Sequence, residues 1–272
     1  VGNITYSGSA LAATKAGTYS LAPVVTGLSS ANYNFTPANG MLTINKALLT
    51  VLAANKTKDY DGQTFQAFTR TITGFVNNDP ATVVTGATAF TGAATTAITA
   101  GTYTVTPDVS SMNAANYTFV ATSGSLTITK AALTVTATSQ SKIYDGTLFT
   151  GFASTFSGFV NGDTSSAISG AVAYSGAATT ATAAGSYSIV TDVSGLSSPN
   201  YTITSANGTL TITKAVLTVA AEAKSKTYDN ALFSGFTSTI TGWTAPLDGK
   251  ESLLSSYFAS AATCITGSWA AP

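Results

Sequence analysis

The chain is expected to be all-β, built from small domains in tandem. Three observations lead there: a long internal period, an apolar residue at every second position of many short runs, and turn residues between those runs. Tyr60-Asp61-Gly62 returns as Tyr144-Asp145-Gly146 and as Tyr228-Asp229-Asn230, 84 residues on each time. Asn32-Tyr33, Tyr19, Lys46 and Gly74-Phe75 each recur at the same step, the last as Gly158-Phe159 and Gly242-Trp243. A solenoid coil repeats every 20 to 50 residues or so, and this longer period suits a whole small domain. Full repeats are therefore expected at residues 48–131 and 132–215. Residues 1–47 read as a partial repeat carrying later strands, and 216–272 as a partial, diverged one carrying early strands.

Within a unit the elements follow in order as strands. Leu133, Val135 and Ala137 alternate with Thr134 and Thr136, the spacing of a half-buried strand. The same alternation marks Val172/Tyr174, Tyr187/Ile189, Tyr201/Ile203 and Leu210/Ile212. Turn signals separate them: Tyr-Asp-Gly, Asn161-Gly162-Asp163, Gly185 and Asn207-Gly208, the last expected to be a hairpin. No stretch keeps a helical period, so a β-grasp fold lacks its helix. Six or seven short strands per unit predict tandem immunoglobulin-like β-sandwich domains. Leu126 to Thr136 and Leu210 to Val219 run from one unit into the next without Gly or Pro, which predicts extended junctions and an elongated rod.

Composition removes several function classes. Charged residues are 8% of the chain, and 11 basic side chains balance 11 acidic ones with no basic run. Nucleic acid is excluded as a partner, since phosphate binding needs clustered Lys and Arg, and so is an acidic membrane. Without His, and with the single Cys264, neither a Cys/His zinc site, an internal disulfide nor a Ser-His-Asp arrangement forms. No enzyme and no cofactor are expected. Avoidance of Cys suits secretion, and no apolar run is long enough for a membrane helix. Residues 1 to 20 show no signal peptide, and Val1 suggests a processed or excised segment.

Three motifs carry a family likeness: Lys142-Ile143-Tyr144-Asp145-Gly146-Thr147, Gly158-Phe159-Val160-Asn161-Gly162-Asp163, and Gly208-Thr-Leu-Thr-Ile-Thr-Lys214-Ala. Together they resemble the YDG and MBG repeat domains of very large secreted bacterial adhesins, including filamentous-haemagglutinin-like proteins. The likeness covers both full and both partial units and fails mainly after Trp243. It implies an extracellular, cell-surface stalk or adhesive array, with no catalytic residues to carry over. The third copy has Asn230 where Gly stands elsewhere, a residue that also accepts left-handed φ.

Single motifs admit other readings. Asp59-Tyr60-Asp61-Gly62 resembles the start of a calcium loop, but Ile143 and Thr227 replace Asp59 in the other copies and no bidentate Glu follows. The Tyr-Asp-Gly copies read instead as turns: Tyr60 and Tyr144 pack inward, Asp61 and Asp145 cap amides, and Gly62 and Gly146 supply positive φ, as do Tyr228, Asp229 and Asn230 in the third. Lys142, Asp145 and Asn200 are candidates for an isopeptide cross-link, weighed against Lys130 and Lys142 as solvated strand-edge residues. Carboxylate pairs for glycoside hydrolysis fall on turns. The Thr faces (Thr127, Thr129, Thr134, Thr136) follow from strand alternation rather than from ice binding. Asn116, Asn200 and Asn207 head formal glycosylation sequons without meaning in most bacterial compartments.

The reading that results is a structural and adhesive array. Its alternative is a module that binds a host or environmental glycan or protein on exposed loops. The partial ends add one more expectation: the head of one copy completes the tail of the next by strand complementation, unless the sequence is an excerpt of a longer chain. Partners are then other copies or flanking repeats.

Overall fold

The computed structural model describes residues 2–244. The chain divides between Ala131 and Ala132 into two compact units. The first opens with β1 (Thr5–Ser7), β2 (Gly17–Val24) and β3 (Gly40–Ile44), an antiparallel sheet in the order β1-β2-β3. A full set of seven strands follows: β4 (Ala47–Ala53), β5 (Lys56–Asp59), β6 (Arg70–Thr73), β7 (Ala89–Thr91), β8 (Gly101–Asp108), β9 (Tyr117–Thr122) and β10 (Gly124–Thr129). They form two sheets, β6-β4-β9 and β5-β10-β8-β7.

The second unit repeats the plan. Its strands are β11 (Ala131–Ala137), β12 (Gln140–Ile143), β13 (Ser154–Ser157), β14 (Ala173–Ser175), β15 (Gly185–Asp192), β16 (Tyr201–Ala206) and β17 (Gly208–Thr213). Their sheets are β13-β11-β16 and β12-β17-β15-β14. An antiparallel pair closes the described chain, β18 (Thr218–Ala221) with β19 (Ser238–Thr241). Every strand of the second full set starts 84 residues after its counterpart, so the period of the sequence is also the period of the backbone. Between strands the described residues hold short 3₁₀ turns, such as Ala93–Thr95 and Ala177–Thr179, and no α-helix.

Residues 47–59 and 117–129 travel side by side in parallel. Ala47 stands opposite Tyr117 and Leu52 opposite Thr122; past a bend, Lys56 stands opposite Leu126 and Asp59 opposite Thr129. The register is unchanged across the bend, so both strands turn together from one sheet into the other. Gly124 sits at this corner, where a Cβ would lie 2.4 Å from the Ala53 carbonyl oxygen; at Gly208 the oxygen is that of Ala137, at 2.5 Å.

This corrects the hairpin expected at Asn207-Gly208. Strands β16 and β17 on either side lie in different sheets, and neither residue has positive φ. A parallel ladder on both sides of the corner outweighs the local turn preference. The glycine is needed for close approach of two backbones, not for its φ. First and second strands pairing in parallel with sixth and seventh also depart from the all-antiparallel sheets of an immunoglobulin domain. What the structure shows is coarser: repeated, predominantly β units of two sheets sharing a corner.

The inward positions are those the alternation marks. Leu49, Val51 and Ala53, and in the next repeat Leu133, Val135 and Ala137, are buried. Under one sheet Leu49, Ala114 and Tyr117 gather Ile72, Phe75 and Phe119. In the second full repeat, Ala137, Ala178, Ile189, Leu210 and Ile212 gather Phe149, Phe152 and Tyr174 under the four-stranded sheet. A fully buried Leu or Val side chain contributes about 1.5–3 kcal/mol, which makes these rows the main source of stability.

Candidate functional site

The recurrent Tyr-Asp-Gly lies just past the edge strands β5 and β12. The Tyr60 amide donates to the Thr129 carbonyl at 2.8 Å, and the Tyr144 amide to that of Thr213 at 2.8 Å, each extending the parallel ladder by one bond. The chain then reverses. Asp61 Oδ1 accepts the Gln63 amide at 2.8 Å, Asp145 Oδ1 the Thr147 amide at 2.9 Å, and Asp229 Oδ1 the Ala231 amide at 3.0 Å. Gly62, Gly146 and Asn230 sit between at φ +70°, +74° and +60°, the left-handed region that Gly and Asn tolerate.

A lysine three residues before each Asp closes the turn. Lys58, Lys142 and Lys226 are ion-paired with Asp61, Asp145 and Asp229. Their ammonium groups also donate to the carbonyls of Gln63, Thr147 and Ala231. The Lys142 side chain is 14% exposed, so the solvated strand-edge lysine expected there is instead folded over its own turn. The turn offers a carboxylate and a carbonyl on the same side, and an ammonium satisfies both. Donation from Lys142, then from the Thr147 amide, holds the Asp145 carboxyl at about 2. Asp61 and Asp229 are lowered as well, each chiefly by its lysine.

This geometry also places the cross-link candidates. Lys142 and Asp145 are together, at 2.6 Å. The three ammonium protons of Lys142 are directed to Asp145 Oδ1, Thr147 O at 2.8 Å and Thr147 Oγ1 at 3.1 Å. Asn200, which precedes β16, belongs to the end of the other sheet, where its amide donates to Ser198 Oγ at 3.3 Å. Asp59 and Asp61, the pair that suggested a calcium loop, face different partners: Asp59 accepts from Thr129 Oγ1 and Asp61 from Lys58. Among the described residues no three His, Cys, Asp or Glu are grouped to hold a metal.

Tyr burial separates the copies. Tyr60 is 7% exposed, Tyr144 packs on the core cluster of its repeat, and Tyr228 is 87% exposed.

A second anchor escaped the sequence reading. Tyr117 and Tyr201, both 2% exposed, donate their hydroxyls to Asp79 Oδ2 at 2.7 Å and Asp163 Oδ2 at 2.8 Å. The same hydroxyls accept the amides of Val76 at 3.2 Å and Val160 at 3.1 Å. Each ties β9 or β16 to the loop after β6 or β13, whose reversal uses Asn77, Asn78, Asn161 and Gly162 at positive φ. The Asp79 carboxylate raises the Tyr117 phenol, and burial raises that of Tyr201. The signal was present: Asn-Tyr and Asn-x-Asp recur at one step, but 38 residues separate Asp from Tyr and only the fold joins them.

Phe65, Phe68 and Phe90, then Phe149, Phe152 and Tyr174, form matching aromatic chains with centroids 4.9 to 5.6 Å apart. Within the first unit, the partial repeat is tied to the full one by the Ala16 amide to Asn116 Oδ1 at 3.1 Å and by Lys46 Nζ to the Ala114 carbonyl at 3.0 Å. No helix among the described residues is long and apolar enough to cross a membrane.

The hydrogen bonds described above hold turns, loops and strand ends of the same chain, and comparison with known proteins agrees with that structural character. No curated protein matches the chain. Residues 49–127 and 133–211 each match the family model described as MBG domain (YGX type), and residues 2–48 match a second, described as MBG domain. Matches that take in both full repeats and the partial one before them show that the chain belongs to the MBG domain family, with the YDG/MBG-type repeats found in filamentous adhesins.

Proposed function

We propose that the chain is a structural and adhesive repeat segment of a bacterial protein secreted to the cell surface or into an extracellular filament. In this reading residues 48–131 and 132–215 are two whole domains. Each is a sandwich-like module, and the modules follow one another as a rod. The observation that carries it is the identity of two consecutive repeats strand by strand, with one residue, Lys130, between the last strand of one and the first of the next. Conserved chemistry within each repeat goes into holding turns and loops, as a spacer requires.

The alternative is a glycan- or protein-binding module. Sugar stacking needs exposed aromatic faces. The large exposed aromatics among the described residues are Tyr6, Tyr33, Phe35, Tyr228, Phe236 and Trp243, all outside the two full repeats. That distribution favours the spacer for residues 48–215. Single-molecule stretching tests it. Two equal unfolding steps are expected, each lengthening the chain by roughly 84 × 3.5 Å less the folded span. One combined step overturns the reading, and a specific hit on a glycan array would support the alternative.

A further inference from the structure

We propose that residues 112–117 form a docking surface for a preceding MBG repeat, which they recognise through backbone groups, so that any repeat with the same corner loop fits. This joint deepens the array reading above and rests on it. Three residues that recur every 84 positions meet there in the first unit: Tyr19, Lys46 and Asn116, which return as Tyr103, Lys130 and Asn200. None of the three serves in the lysine turns or in the tyrosine anchors.

Tyr19 sets the presented side. Its hydroxyl donates to the Lys15 carbonyl at 2.8 Å, across Gly17. That fixes the loop whose Ala16 amide donates to Asn116 Oδ1 at 3.1 Å. Gly17 stands opposite Ile44 in the β2–β3 ladder, so Ala16 and Lys46 lie at the same end of that sheet. Lys46 Nζ donates to the Ala114 carbonyl at 3.0 Å. Tyr103 and Tyr187 make the same corner on the carbonyls of Thr99 and Ala183, at 2.9 and 3.0 Å. With Lys, Thr and Ala at one phase, the corner needs the tyrosine and a main-chain oxygen, whatever side chain that oxygen's residue carries.

The receiving side is held from within its own repeat. Thr85 and Asn113 exchange two backbone hydrogen bonds, at 2.9 and 3.0 Å, and Met112, Ala114 and Tyr117 are buried. Tyr117 is fixed in turn by Asp79. Asn116, in this rigid stretch, offers two acceptors: its carbonyl takes the Ala47 amide at 2.9 Å, and its side chain takes that of Ala16. The two sides are complementary in hydrogen bonding. Ala16, Lys46 and Ala47 supply the donors, and Ala114 and Asn116 supply the acceptors. Apart from the lysine and the carboxamide, each of these groups belongs to the main chain, which every repeat possesses.

Amide hydrogen exchange on the full chain tests the joint. Asn116→Ala should speed exchange of the Ala16 amide roughly tenfold, about the effect of one lost hydrogen bond, while the β8–β10 ladder keeps its protection. Asn116→Asp retains the acceptor oxygen and should keep Ala16 slow. Tyr19→Phe removes only the positioning hydroxyl and should speed Ala16 while leaving Ala47 slow. Grafting residues 86–130 in place of 2–46 brings Ala100, Tyr103 and Lys130 to the same places among different side chains, and should leave the joint as protected as before. Should Asn116→Ala also lose protection in β8 and β10, its repeat has unfolded, and Tyr19→Phe and the graft decide. Fast Ala16 exchange in wild type, unchanged exchange in a folded Asn116→Ala or in Tyr19→Phe, or an unprotected graft overturns the proposal. Two equal unfolding steps on stretching beside any of these results leave the array standing without the joint. One combined step with a slow Ala16 amide removes the array reading instead.

Discussion

Residues 132–215 and 216–244 begin with the same motifs and end in different states. Both make the lysine turn: Lys142 with Asp145 and Lys226 with Asp229, each lysine also capping a carbonyl two residues past the Asp. Both pair their first strand with their third, β11 with β13 and β18 with β19, in the same phase. Both place a glycine at positive φ against that first strand, where a Cβ at Gly158 would lie 2.4 Å from the Ala132 oxygen and one at Gly242 2.5 Å from that of Val216. Yet Tyr144 packs on a core and Tyr228 is exposed. Among the described residues β18 has only β19 beside it, whereas β11 has both β13 and β16. Contacts made within about twenty residues are the same in both regions, and burial is not.

The comparison breaks hardest in the core. Leu133→Ala is expected to destabilise its repeat by about 2–5 kcal/mol, the range for deleting a buried Leu. Val219→Ala, at a position that is 55% exposed, should stay within roughly 0.5 kcal/mol. Calorimetry of the two variants checks this, and similar losses would mean that the half-unit is as well packed as the full one.

Next in size are the corner glycines. Gly208→Ala puts a Cβ against the Ala137 carbonyl and should cost about 1–3 kcal/mol, as overpacking does. Gly40→Ala meets no atom closer than 4.0 Å and should leave stability nearly unchanged. Denaturant midpoints of the two variants check the difference, and equal losses would overturn it.

The tyrosine anchor comes third. Tyr201→Phe removes a hydrogen bond to a carboxylate and should cost roughly 1–3 kcal/mol. The wild-type contribution has a pH signature. The folded pKa of Tyr117 and Tyr201 is raised above 10.0, so the proton is bound more tightly in the folded state. The stability involved is fully present below the unfolded value and is lost as pH rises through the folded one. Alkaline titration of unfolding should therefore show a steeper loss for wild type than for a double Tyr117→Phe, Tyr201→Phe variant.

The smallest effect belongs to the lysine turns. The Asp145 carboxyl is depressed to about 2, so its contribution is present above the ordinary carboxylate range and is lost as pH falls toward 2. Asp229 is depressed in the same direction, for the same first cause, in the half-unit. Carboxyl chemical shifts should show both titrating below normal. A normal Asp229 would show that its turn needs more than the neighbouring lysine.

These contrasts mark what was legible from residues alone. The period, the strand identities, the inward rows and the left-handed turns at Gly62, Gly146 and Asn230 were all readable, because each depends on a residue's own conformational range or on neighbours two or three positions away. The lysine that folds over its turn was misread as solvated, since its partners are set by the direction of the turn. Asn207-Gly208 misled for a related reason: local preference argues for a hairpin, and a parallel ladder with strands 70 residues earlier decides for a corner. The Tyr201–Asp163 anchor, across 38 residues, and the burial that separates Tyr144 from Tyr228 belong to the tertiary structure alone. Sequence determined the parts and their spacing; which strands lie beside which, and hence what is covered, was decided by packing, because burial is a property of neighbours that only the fold brings together.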